Sequence, residues 1–181
     1  MPNLLTTIRI LSPIFFIVVL FFFKDSKIES LLIFTIFILL SLTDFLDGYF
    51  ARKLNQLSNY GKIFDPISDK ILVSVALLYL TSKYSELLYP SILIIFREFL
   101  ITGVREFSIY SKKKGVAVTN LSKIKTTIQF VSISGLLLES YSKEIFDIII
   151  FDFFYGLLWI ATLLTLFTGY EYCYKTYRKF N

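Results

Sequence analysis

The sequence predicts an all-α fold: a polytopic membrane protein of six transmembrane helices with both termini cytoplasmic. Three observations carry this expectation. The mean hydropathy is +0.67, and 55% of the 181 residues are hydrophobic, with 20 phenylalanines. A soluble domain of this size has no use for that apolar load. The apolar residues fall into runs of roughly the ~20 residues that cross the hydrocarbon core. The charges cluster between the runs, and the basic ones favour alternate ends.

The first helix is expected over Leu5–Phe23. Its apolar stretch continues to Phe23 without a small-residue cleavage site, and further apolar segments follow, so it reads as a membrane helix and not as a signal peptide. The second is expected over Ser30–Lys53 and the third over Lys62–Leu80. Pro66 is expected in the first turns of the third, where a missing N–H is tolerated. The fourth, fifth and sixth are expected over Leu87–Ser111, Asn120–Leu138 and Ile145–Tyr174. The links leave no room for a soluble domain, so residues 1–181 are expected to form one membrane domain.

Orientation follows from lysine and arginine. Twelve of them (Arg9, Arg52, Lys53, Lys62, Lys112, Lys113, Lys114, Lys123, Lys125, Lys175, Arg178 and Lys179) fall at one set of helix ends. Four (Lys24, Lys27, Lys83 and Lys143) fall at the other. The richer side is cytoplasmic by the positive-inside rule. The net charge of +5 therefore points to anionic lipid headgroups and not to nucleic acid. With one cysteine, Cys173, and no histidine, an internal disulfide, a zinc cluster, a Ser–His or Cys–His nucleophile and an imidazole base are all excluded. General base chemistry falls to carboxylate, lysine or tyrosine.

Against this apolar background stands a constellation of acids: Asp44-x2-Asp47-Gly48-x2-Ala51-Arg52-x8-Gly61-x3-Asp65-x3-Asp69. Ionised carboxylates at membrane depth are costly, and a cluster of them marks a functional site. Spacings of three and four place each pair on one face of its helix. The short link between the helices makes them antiparallel neighbours, so the pairs can converge. Four converging carboxylates repel unless cations bind between them, and hard oxygen donors select Mg²⁺ or Mn²⁺. Gly48 and Ala51 leave room for a substrate to approach the backbone. Arg52 offers a planar fork to phosphate oxygens. Interfacial acids of no special role would not bring this glycine, alanine and arginine in register. A membrane prenyltransferase also uses Asp-rich motifs, and a cation transporter could carry ions on such acids. An arginine beside the ligands argues against the transporter, because it repels the ion.

These residues match the signature of the CDP-alcohol phosphatidyltransferase family at every fixed position, and the chain resembles that family. The flanking segments NLLTTIRILSP, NQLSNYGKIFDPISDK, IIFREFLITGVRE and VAVTNLSKIKTTIQ resemble those of members whose acceptor is sn-glycerol 3-phosphate. The resemblance spans about Asn3 to Gln129; beyond it the sequence shows a hydrophobic tail without a motif. It implies a six-helix fold, often dimeric, in a bacterial cytoplasmic membrane, with the site facing the cytoplasm. It implies two divalent ions, Mg²⁺ or Mn²⁺, held by Asp44, Asp47, Asp65 and Asp69, with Asp69 as the base. Gly48, Ala51, Arg52 and Ser58 would face the CDP moiety of CDP-diacylglycerol, with Asn3, Thr7 and Arg9 as further contacts. Serine, inositol phosphate and phosphatidylglycerol remain alternative acceptors, because the signature contacts only the shared CDP-lipid.

An acceptor with its own phosphate needs further cations. Arg97 and Arg105, eight residues apart, share a face of the fourth helix. Lys123, Lys125 and Thr126 lie at the cytoplasmic end of the fifth. Together they are expected to form the acceptor-phosphate pocket. An ion pair with Glu98 or Glu106 is the competing explanation for Arg97, and membrane orientation is the competing one for the lysines. Gly135 and Gly156 are expected at close helix contacts.

Overall fold

The structure, a computed structural model, describes residues 2–24, 27–53, 59–111, 120–142 and 148–180, and every regular element among them is helical. The elements are α1 (Pro2–Ile10), α2 (Ser12–Phe23), α3 (Lys27–Lys53), α4 (Asn59–Lys83), a 3-10 turn (Ser85–Leu87), α5 (Leu88–Tyr110), α6 (Asn120–Ser142) and α7 (Ile148–Phe180).

The first expected helix is two helices. The chain leaves helical geometry at Leu11 (φ −81°, ψ 0°), and Pro13 sits in the first turn of α2. Proline has no N–H to give to the carbonyl four residues back, and its ring crowds that carbonyl, so one helix ends and another starts. The break matters for the site, because α1 packs against α4 and α3 on its own account. A second difference concerns Pro66. Since α4 begins at Asn59, Pro66 lies inside the helix and removes the bond its N–H would give to the carbonyl of Lys62.

Two helical stretches, Ser85–Ser108 and Ile150–Arg178, are long and apolar enough to cross a membrane. Ser12–Phe23 and Ile28–Thr43 are apolar but shorter. The 33 residues of α7 make about 50 Å of helix at 1.5 Å per residue, more than the ~30 Å of hydrocarbon. The partition of side chains is that of a protein dissolved in lipid. Phe21, Phe22, Phe96, Phe99, Phe153, Leu163 and Phe167 face outward, while Arg9, Ser68, Lys125, Ser132, Thr162 and Thr165 are buried. Water would penalise the first set, and lipid would penalise exposure of the second.

Inside, Phe16, Ile33, Phe37, Leu77, Leu80, Ile94, Ile133, Leu136 and Leu158 form one core. The rings of Phe37 and Phe130 stack at 5.5 Å and join α3 to α6. At Gly135 of α6 the ring of Phe154 from α7 lies so close that an added Cβ would stand 2.3 Å from it, whereas Gly156 has open space. Of the two glycines expected at close contacts, only Gly135 makes one. At one end of the bundle Lys83 pairs with buried Glu29 at 3.0 Å, and Ser30 shares a hydrogen bond with Tyr79 at 3.0 Å.

Candidate active site

Asp69 is placed by the packing of α1 on α4. Arg9, 1% exposed, reaches across from α1, and its Nη1 donates to Asp69 Oδ1 at 2.8 Å and to Ser68 Oγ at 3.4 Å. The Asp69 side chain is about half exposed (48%). Arg9, expected on the CDP moiety, meets the expected base in the structure. Thr7, two residues earlier on α1, is exposed.

Asp69 stands on the wall between two cavities. The first, about 400 Å³, opens between α4, α5 and α6. Lys70 of α4 and Arg97 and Arg105 of α5 line it, with Thr102, Thr126 and Gln129 as neutral polar groups. Its described lining carries three cations against two carboxylates, Asp69 and Glu98, so it suits an anion. The second, about 420 Å³, opens between α3, α4 and α6 and is more apolar, with Leu42, Leu72, Val73 and Phe130 beside Ser41. Asp69, Val73, Thr126 and Gln129 belong to both walls.

Charge in the first cavity is organised by Glu98. Its Oε1 accepts from Arg97 Nη1 at 3.0 Å and also from the Lys125 ammonium. The Lys125 side chain is 3% exposed and does not line the cavity. Lys123 is exposed and also stands outside the lining. Both lysines were expected to touch a phosphate; in the structure Lys125 is paired with Glu98 and Lys123 is exposed. Arg97 is buried and has the Glu98 partner that the competing explanation named, while still lining the cavity. Arg105 lines it too but is exposed, as is Glu106.

The remaining contacts of Arg97 come from α7. Its Nη2 donates to Thr168 Oγ1 at 2.9 Å, and its Nε is buried without a partner. A Cβ on Gly169 would stand 2.9 Å from Arg97 Nε and 3.0 Å from Cγ. Lys70, Glu98, Thr168 and Gly169 were not assigned to the site from sequence. Lys70 had a local signal, because it adjoins Asp69. Glu98 was named only as a possible partner of Arg97, and Thr168 and Gly169 reveal themselves only when α5 and α7 come together.

Asp44, Asp47, Gly48, Ala51, Arg52 and Asp65 are placed along their helices, but their side chains, that of Asn3 and the whole of Ser58 lie outside the described residues. Among the described residues no three His, Cys, Asp or Glu side chains form a metal centre. The donor chemistry nevertheless fits a hard divalent cation. The acids are carboxylates alone, on α3 and α4, and those two helices touch; carboxylate oxygen is the ligand such ions take.

Known proteins are similar to this chain along nearly its whole length. The chain is 39% identical over 180 residues to the CDP-diacylglycerol–glycerol-3-phosphate 3-phosphatidyltransferase of Rickettsia felis, covering 99% of this chain and 96% of the relative. It is 38% identical over 187 residues to the protein of that name in Bacillus subtilis, covering 98% and 95%. It is 34% identical over 181 residues to that of Wigglesworthia glossinidia brevipalpis, covering 98% and 94%. These likenesses run past Gln129, where the recognisable segments end, and through α7. A profile described as CDP-alcohol phosphatidyltransferase matches residues 1–167, and the chain belongs to the CDP-alcohol phosphatidyltransferase family.

Proposed function

We propose that this enzyme transfers the phosphatidyl group of CDP-diacylglycerol to the sn-1 hydroxyl of sn-glycerol 3-phosphate, giving phosphatidylglycerophosphate and CMP. The carrying observation is that Asp69 stands between an apolar cavity and a cationic one. A reaction between a lipid and a small phosphorylated alcohol needs that arrangement, and the names of the relatives agree with it. The cations also favour a phosphorylated acceptor over serine.

In this reading six helices cross a bacterial cytoplasmic membrane, both termini and the site face the cytoplasm, and the enzyme works as a homodimer. Asp44, Asp47, Asp65 and Asp69 hold two Mg²⁺ or Mn²⁺ ions, which when bound neutralise the diphosphate and the departing CMP. Gly48, Ala51, Arg52 and Ser58 face the CDP moiety. Arg97, Arg105 and Lys70 take the acceptor phosphate, with Thr126 at the wall. Arg9 fixes the rotamer of Asp69. The acceptor oxygen then bonds to the lipid-side phosphorus, its proton passes to Asp69, and the phosphoanhydride bond breaks with its electron pair leaving on CMP. With no activated nucleophile on the described walls, one direct displacement suffices.

The test is CMP release by purified protein in detergent with Mg²⁺ and CDP-diacylglycerol, given glycerol 3-phosphate, inositol phosphate, serine or no acceptor. Release that requires glycerol 3-phosphate and is lost in Asp69→Asn is expected. Release with another acceptor instead would overturn the acceptor assignment. No CMP with any acceptor, from protein shown to be folded, would overturn the enzyme reading altogether.

A further inference from the structure

The C-terminal helix carries none of the family's signature, yet it makes two of the contacts that define where Arg97 stands. One is a hydrogen bond. The Thr168 hydroxyl gives its own proton to the carbonyl of Leu164 at 2.8 Å, so the lone pair on Oγ1 is what receives Arg97 Nη2 at 2.9 Å. The other is a space. Gly169 has no Cβ, and the Arg97 stem occupies that position; a methyl group there would stand 2.9 Å from Nε and 3.0 Å from Cγ, closer than van der Waals contact allows. With Glu98 on Nη1, the guanidinium is held from two sides, and donors remain: five N–H groups against two bonds.

We propose that Thr168 and Gly169 form a seat that presents the Arg97 guanidinium to the acceptor's phosphate, so that α7 positions the group governing acceptor affinity. The inference rests on the reading that Arg97 binds that phosphate. A planar fork must be oriented to meet phosphate oxygens in pairs, and a flexible arginine would lose affinity in being ordered. Thr168 and Gly169 are positioning residues. They touch neither substrate and act through Arg97, so their removal weakens acceptor binding and leaves the CDP-lipid untouched.

The experiment measures steady-state CMP release with each substrate varied against saturating partner, for Arg97→Gln, Gly169→Ala, Thr168→Val and Thr168→Ser. Loss of an oriented charge-assisted bond is worth about tenfold or more in affinity. Gly169→Ala and Thr168→Val are therefore expected to raise the KM for glycerol 3-phosphate about tenfold, with the KM for CDP-diacylglycerol within about twofold of the unaltered enzyme. Thr168→Ser, which keeps the hydroxyl, is expected to stay near the unaltered value. In an Arg97→Gln background, Gly169→Ala should add nothing, because residues that act through one another are not additive. If Arg97→Gln leaves the acceptor KM unchanged, the phosphate assignment fails and the seat fails with it. If Arg97→Gln raises it while Gly169→Ala and Thr168→Val do not, the seat alone is overturned. Equal losses for both substrates would also overturn it, since they mark general packing. Should Gly169→Ala not fold, the Thr168→Val and Thr168→Ser pair reads the same question.

Discussion

At the scale of single residues, the proposed mechanism divides orientation from chemistry between Arg9 and Asp69, which meet at 2.8 Å. Removing a general base costs about 10²–10⁴-fold, so Asp69→Asn is expected to lower kcat for CMP release at least a hundredfold. Arg9→Gln keeps the carboxylate but removes the bond at 2.8 Å that orients it. Its kcat is expected to fall about tenfold, with little change in either KM; a large rise in the KM for CDP-diacylglycerol would return Arg9 to the CDP moiety. Glu98 makes a different prediction. In Glu98→Gln the buried Lys125 ammonium and Arg97 face each other without their shared counter-charge. Stranding a buried charge costs about 3–5 kcal/mol, so the variant should melt several degrees lower in detergent. Lys125→Met should melt closer to the unaltered protein, because Glu98 keeps Arg97. The aspartates were legible because their pattern is local, falling at fixed offsets along two successive helices. Glu98 was visible only as one possible partner of Arg97. That it also holds Lys125, 27 positions away, is a fact of packing that no local pattern encodes.

At the scale of helices, hydropathy located the apolar segments but not the points where they stop. The expected helix runs through Leu11 on average hydropathy despite Arg9 and Ser12, whereas the break falls beside Pro13, a backbone effect that a hydropathy profile averages away. Likewise two glycines on neighbouring helices read alike, yet only one lies under a ring. Gly135→Ala forces Phe154 of α7 off α6. Overpacking of this kind costs about 1–3 kcal/mol, and a fall in melting temperature checks it. Gly156→Ala meets nothing within 4 Å and trades glycine for a better helix former. Its melting temperature should be unchanged or slightly higher. A loss at Gly156 equal to that at Gly135 would show that both responses report helix propensity and not the contact.

At the scale of the whole molecule, the inverted partition of side chains and the asymmetry of basic residues bear on one question, the path through the bilayer. In the six-crossing reading, three helices (α5, α6 and α7) separate Glu86 from Arg178, so these two exposed residues belong on opposite sides. Glu86 adjoins the end with Lys83 and the buried Glu29. Arg178 lies beside Lys175 and Lys179, among the twelve basic residues assigned to the cytoplasm. The protein has one native cysteine, Cys173, so replacing it by serine gives a background for single-cysteine labelling. In intact cells a membrane-impermeant maleimide is expected to modify Glu86→Cys and to spare Arg178→Cys until the membrane is opened. The reverse pattern would invert the orientation and move the site outside, away from cytoplasmic glycerol 3-phosphate. Labelling of both from outside would mean an even number of crossings between them, which requires that one of α5, α6 and α7 does not span. Of the three, α6 is the one to test next, because the other two contain the long apolar stretches, while α6 carries Lys125 and Gln129 inward to the site. A helix that brings polar groups to a site at its cytoplasmic end has its crossing set by its neighbours as much as by its own hydropathy.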